Sequence, residues 1–161
     1  MAKRQSAGIL LYRLKNTLEF FLVHPGGPFW KKKDAASWTI PKGEFGDDEE
    51  ALEAAIREFR EETSFTPNGP FIPLTPIRQK AGKQVFAWAA AGDIVPALVK
   101  SNLVTIEWPP RSGKKIHIPE VDSGDWFPLP IAREKINPMQ VAFLEELQGI
   151  VGSNRYPERK Y

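Results

Sequence analysis

The segment from Asp47 to Thr63 constrains the fold most, because it specifies a helix and a buried side for it. Asp47 is placed to cap the N-terminus, with Glu50 three residues on as its capping-box partner. Leu52, Ala55, Ile56 and Phe59 follow the i, i+3, i+4, i+7 spacing of a buried face, and the helix is expected to end near Thr63. On a wheel turning about 100° per residue, Glu58 and Glu62 fall together on a stripe bordering that face, with Ala51 and Ala55 beside them. Glu61 lies further round and more exposed. Three carboxylates in the last turn oppose the negative end of the helix dipole. Glu58 and Glu62 also repel each other at i, i+4. A divalent cation would remove the conflict; a solvated acidic face is the plainer alternative.

The remaining composition narrows the chemistry. The 161-residue chain has no cysteine and only two histidines, His24 and His117. Disulfides, thiolate zinc sites and cysteine nucleophiles are therefore excluded, and a metal would be held mainly by oxygen, which points to Mg²⁺ or Mn²⁺. A formal net charge of +2 argues against a protein that grips nucleic acid by charge alone. The charge is unevenly placed: residues 43–66 carry a net −7, between a net +6 over residues 1–42 and a net +3 over residues 67–161. That arrangement suits a metal cluster on an acidic helix with phosphates held between it and basic loops. No targeting or membrane-spanning segment is visible, so a cytoplasmic protein is expected. One domain over residues 1–161 is expected, with residues 153–161 a frayed tail.

Residues 6–13 and 18–24 read as strands joined by a turn at Lys15-Asn16-Thr17. Ser37–Ile40 reads as a short strand running into Pro41-Lys42-Gly43. Further strands are expected at about 71–78, 84–91, 103–108 and 117–127, the last interrupted, with a loop over residues 109–115. Residues 129–136 read as a short helix, and a final helix follows Pro138 with Val141, Leu144, Leu147 and Val151 on one face.

The helix belongs to a longer pattern: Gly43, five residues, Glu49, seven residues, Arg57-Glu58-Phe59, one residue, Glu61-Glu62, one residue, Ser64, Phe65. This resembles the Nudix box, Gly-x5-Glu-x7-Arg-Glu-U-x-Glu-Glu-x-Gly-U, where U is bulky and apolar. The departure is Ser64, where the box has the glycine that closes the helix in a left-handed conformation. Trp38-Thr39-Ile40-Pro41-Lys42 is similar to Nudix members acting on dinucleoside polyphosphates, diphosphoinositols or RNA 5′ ends. With Trp108-Pro109-Pro110 and Glu120-Val121-Asp122 leading to Trp126, the chain resembles a bacterial group of predicted NTP pyrophosphohydrolases.

The resemblance implies an α/β (α+β) fold, an α/β/α sandwich with a mixed central sheet. It implies hydrolysis of a pyrophosphate bond in a nucleoside diphosphate linked to another group, with Mg²⁺ or Mn²⁺ as cofactor and a dinucleoside polyphosphate or NTP as substrate. Glu58 and Glu62 would be the principal metal ligands, completed by the Gly43 carbonyl, with Glu61 a further ligand or the base. Glu120 is the candidate base outside the box. Arg57 would pair with Glu49 and hold the loop against the helix. Lys42 would meet a phosphate, while Trp38, Trp108, Arg111 and Lys114 are candidate substrate contacts. The implied partner is a small nucleotide or polyphosphate, with no membrane, and with nucleic acid only as an RNA 5′-end substrate. A fold that has lost catalysis and only binds a nucleotide or nucleic acid is the alternative, as are enzymes acting on ADP-ribose, diphosphoinositols or RNA 5′ ends.

Overall fold

Two long apolar strands organise the chain. A computed structural model describes residues 4–79 and 82–155. Strands β1 (Gln5–Lys15) and β2 (Thr17–Pro25) pair antiparallel around Asn16, which takes the left-handed turn conformation at φ 63°. β3 (Lys42–Glu44) also pairs antiparallel with β1, whereas β6 (Gln84–Ala91) runs parallel to it, so the sheet is mixed. The order is β4-β6-β1-β2-β9, with β4 at Ile72–Pro73, β5 at Ile77–Arg78 and β9 at Val121–Pro128. A separate two-stranded sheet joins β7 (Leu103–Glu107) to β8 (Lys115–Pro119).

Successive residues of a strand face opposite sides, and both sides of this sheet are covered. Ala7, Ile9, Leu11, Phe21 and Val23 pack against Ala54, Ala55 and Phe59 of α1 (Ala51–Thr63). Leu10, Phe20 and Leu22 pack on the other side against α2 (Leu129–Lys135) and α3 (Val141–Arg155), through Ala132, Phe143, Leu144 and Leu147. The α/β/α sandwich with a mixed sheet is therefore present. Phe59 is fully buried, its ring 6.4 Å from Phe21; burying a side chain of this kind stabilises the fold by about 2–3 kcal/mol. No helix among the described residues is long and apolar enough to cross a membrane.

Several local expectations need correction. Helix α1 starts later than Asp47: Glu50 occupies the N-cap position and no side chain caps it. Ser37–Ile40 is not a strand but makes two isolated bridges, Val23 to Thr39 and Trp38 to Ile136. Lys42 and Gly43, into which that strand was expected to run, form β3 with Glu44. The run 71–78 breaks into β4 and β5, because its prolines and turns leave only two-residue pairings. The run 117–127 divides at Glu120 into strands of two different sheets. Helix α3 continues to Arg155, past the start expected for the tail; residues 156–161 lie outside the described residues.

A buried glutamine fixes the segment that leads into β3. Gln140 is fully buried, and its Oε1 accepts the Ile40 N–H at 3.0 Å while its amide donates to the Thr39 hydroxyl at 2.9 Å. Removing this side chain strands a buried N–H, which costs about 1–3 kcal/mol on top of the lost packing. We expect Gln140→Ala to lower unfolding stability by roughly 2–4 kcal/mol. Urea titration followed by circular dichroism checks this; a loss under about 0.5 kcal/mol would contradict it.

Candidate active site

The carboxylates lie deeper than the helix pattern suggests. The buried residues of α1 are Ala54, Ala55, Glu58, Phe59, Glu62 and Thr63, while Leu52 and Ile56 are only half-buried. The buried face is thus centred near Glu62, not between Leu52 and Phe59. Glu62 retains 3% of its exposure and Glu58 7%. Burial pushes the Glu58 carboxyl up to about 7, aided by the charges of Glu61 and Glu120 and opposed by Arg57. Burial also holds Glu62 well above the usual carboxylate range, with Glu120 and Glu58 adding to it. The Lys42 ammonium and the Lys42 backbone N–H act in the opposite sense on Glu62.

Strand β3 brings Gly43 against this pair. Gly43 sits opposite Ala7 of β1, and a Cβ on it would overlap both oxygens of the Glu58 carboxylate. Only glycine leaves room for that carboxylate beside the strand. One of its oxygens, Oε2, is buried without any hydrogen-bond partner. A buried unpartnered carboxylate oxygen is costly unless something positive meets it.

Arg57 gathers the outer carboxylates. Its Nε and Nη2 donate to Glu49 at 2.8 and 3.0 Å, and its Nη1 donates to Glu61 at 3.2 Å and stands 3.4 Å from Glu58 Oε1. The Glu49 hydrogen bonds raise the guanidinium further above its already high value and hold Glu49 below its own. Arg57 therefore reaches the acidic cluster.

Glu120 stands in the one-residue gap between β8 and β9. Its N–H donates to the Asn102 carbonyl at 3.0 Å, and its carbonyl accepts from Gly26 at 2.9 Å. Its charge acts on Glu58 and Glu62, so residues 58 and 62 sequence positions apart share one field. Lys42 is half-buried next to them; burial lowers its ammonium and the Lys83 ammonium lowers it further. Lys83, which the sequence did not single out, stands 3.8 Å from Glu44.

The other candidates stand apart from this cluster. Trp38 is largely core, with its ring edge to Phe127 at 5.0 Å and its indole N–H donating to Asp34 at 2.8 Å. It also borders a shallow cleft of about 300 Å³ with Lys31, Lys32 and Lys33. His24 is buried there, its Nδ1 3.0 Å from Asp122 and its Nε2 against the Lys33 carbonyl. Trp108, Arg111 and Lys114 lie at the tip of the β7–β8 hairpin, the two basic residues exposed. Five strand residues separate that tip from Glu120, about 16 Å of extended chain. His117 is exposed on β8, 2.9 Å from the Thr105 hydroxyl.

The donor set suits a hard divalent cation: carboxylate oxygens, one of them unpartnered, beside a strand backbone. Among the described residues no three His, Asp or Glu side chains are gathered into a ready-made cage.

The comparisons agree with this fold. A crystal structure of a C. elegans Ap4A hydrolase binary complex superimposes with a TM-score of 0.61 at 24% identity, over 92% of this chain and 98% of that one. The NUDIX domain of Shewanella oneidensis NrtR, solved with ADP ribose, gives 0.61 at 17% identity over 91% and 86%. A mutT/nudix family protein from Listeria innocua gives 0.63 at 19% identity over 96% and 97%. No curated protein matches the sequence. The NUDIX domain family model matches residues 2–147, nine-tenths of the chain and every carboxylate described above, so the chain belongs to the Nudix family of pyrophosphohydrolases.

Proposed function

We propose that the protein hydrolyses a phosphoanhydride bond in a nucleoside diphosphate linked to another group, with Mg²⁺ or Mn²⁺ bound at Glu58 and Glu62. The observation that carries this reading is the buried, unpartnered Glu58 oxygen facing Gly43. When bound, the cation neutralises phosphate charge and helps align the attacking water. The Gly43 carbonyl is the candidate to complete the ligand set. Water attacks one phosphorus, the bridging P–O bond breaks, and the water's proton goes to a carboxylate. Glu120 is the better acceptor for it, since Glu61 is engaged by Arg57. Lys42 meets a phosphate oxygen, and Arg57 keeps Glu49 and Glu61 in place.

The substrate we favour is a dinucleoside polyphosphate. Its anionic chain suits Lys42 and Lys83, and its second nucleoside is long enough to meet Trp108, Arg111 and Lys114 at the hairpin tip. A C. elegans neighbour is an Ap4A hydrolase, and a Shewanella neighbour was solved with ADP ribose, so both ligands belong in the test. Turnover of Ap4A, ADP-ribose, NTPs, a diphosphoinositol and 5′-triphosphorylated RNA is measured at low and high salt. Ap4A is expected to be preferred at low salt, with Lys42→Ala losing more of that preference than Lys114→Ala. Preference for ADP-ribose at every salt concentration would overturn the polyphosphate reading. Nucleotide binding without turnover of any substrate would leave a binding module.

Metal binding has a pH signature. Glu58 has a folded pKa of about 7 against 4.5 in a free chain, so its contribution to stability is present at acid pH and is lost as pH rises through about 7. Without metal, the melting temperature is expected to fall between about pH 5 and pH 8. Millimolar Mg²⁺ or Mn²⁺ should raise it, most at the alkaline end. Scanning fluorimetry in EDTA and in each metal checks this; melting curves indifferent to both cations would favour a solvated acidic face.

A further inference from the structure

Ser64 occupies the position where the Nudix box has glycine, and it adopts the left-handed conformation that a glycine would favour, at φ 69°. Its N–H closes the helix on the Arg60 carbonyl at 2.8 Å, as any residue there could. Its hydroxyl does something glycine cannot: it donates to the carbonyl of Lys100.

That bond belongs to a strap. The last carbonyls of a helix have no partner within it. Here the Asn102 N–H donates to the Glu61 carbonyl at 2.8 Å, and the Lys100 N–H donates to the Thr63 carbonyl at 3.2 Å. The strap's other side holds the start of β9. Asn102 accepts the Glu120 N–H at 3.0 Å, and the Ser101 hydroxyl oxygen accepts the Val121 N–H at 3.0 Å. Residues 100–102 thus lie between the helix end that carries Glu58, Glu61 and Glu62 and the residue Glu120. Ser64 makes the one side-chain hydrogen bond, among the described residues, from that helix end to the strap.

We infer that Ser64 is a positioning residue, which through Lys100–Asn102 fixes the Glu120 carboxylate against Glu58 and Glu62. The inference rests on the hydrolytic reading above. Glu120 is held through its backbone, its N–H on the Asn102 carbonyl and its carbonyl on the Gly26 N–H. Backbone ease at residue 64 is given up in return for one such tether.

Ser64→Gly separates this from a purely structural role. If the residue only closes the helix, glycine relieves the φ of 69° and leaves an enzyme at least as stable and as active. If it positions Glu120, the glycine variant keeps its melting temperature but exchanges the Asn102 and Glu120 amides about tenfold faster in metal-free protein. Its kcat falls about fivefold with KM unchanged, the effect of one weak hydrogen bond on a group that acts in the transition state. On a Glu120→Gln background, Ser64→Gly has no further effect on kcat. Ser64→Asn, which tolerates the left-handed conformation and keeps a donor, recovers part of the loss. Wild-type exchange in Ser64→Gly, or a kcat loss that multiplies with that of Glu120→Gln, overturns the inference. A wild-type protein that turns over no substrate overturns the hydrolytic reading instead, and the exchange measurement then still decides the tether.

Discussion

Gly43→Ala is expected to abolish most turnover, by at least about a hundredfold, while the protein stays folded. The added methyl would occupy the position of the Glu58 carboxylate, and β3 cannot retreat because it is paired with β1. The carboxylate, at the far end of a flexible side chain, gives way instead, and a ligand displaced by about an ångström costs that order of rate. Far-ultraviolet circular dichroism should match wild type, and the stabilisation by Mn²⁺ should largely disappear. Wild-type kcat in this variant would remove Glu58 and Gly43 from the site together.

Glu62→Gln should be as damaging to the reaction and the opposite for stability. Glutamine keeps the shape and loses the charge, so metal affinity and kcat fall, again by about a hundredfold or more. Glu62 is the most buried of the carboxylates, and its folded pKa lies above its unfolded one. Its ionised form therefore opposes folding as pH rises, and the variant has no such group to ionise. Without metal, Glu62→Gln should melt above wild type at about pH 8, and the two should converge near pH 4. Turnover at the wild-type rate under limiting Mg²⁺ would show that Glu62 is not a ligand.

Helix α1 and the spacing around it were legible because a periodic apolar face and fixed intervals are one-dimensional features. The rotation of the buried face was not: Glu58 and Glu62 count as polar, so a hydrophobic pattern tilts away from them, and only the close approach of Gly43 makes their burial visible. Asp47 has the chemistry of a cap, but the chain turns at Gly46–Glu49 and the helix begins at Ala51. Gln140 and Lys83 escaped notice for a different reason. Their partners lie far off in sequence, across the sandwich or at a neighbouring strand end, and a lone glutamine or lysine carries no local signal. Ser64 was visible as a departure from a pattern, yet its hydroxyl bond to Lys100 was not, because a tether spanning 36 positions has no periodicity.

The contacts of Trp38, Thr39 and Ile40 bear on when the protein can become active as it is made. Trp38 bridges to Ile136 and its carbonyl accepts the Asn137 N–H, while Thr39 and Ile40 are held by Gln140. A nascent chain that has emerged as far as β9 already contains the box, β3 and Glu120. It lacks the last residues that clamp the approach to β3, about a hundred positions downstream. Contacts of such separation form late, because the intervening chain must first be ordered. A chain cut short after β9 would bear all the acidic groups without the brace that Ile136, Asn137 and Gln140 supply, and its acidic cluster is expected to be loosely assembled.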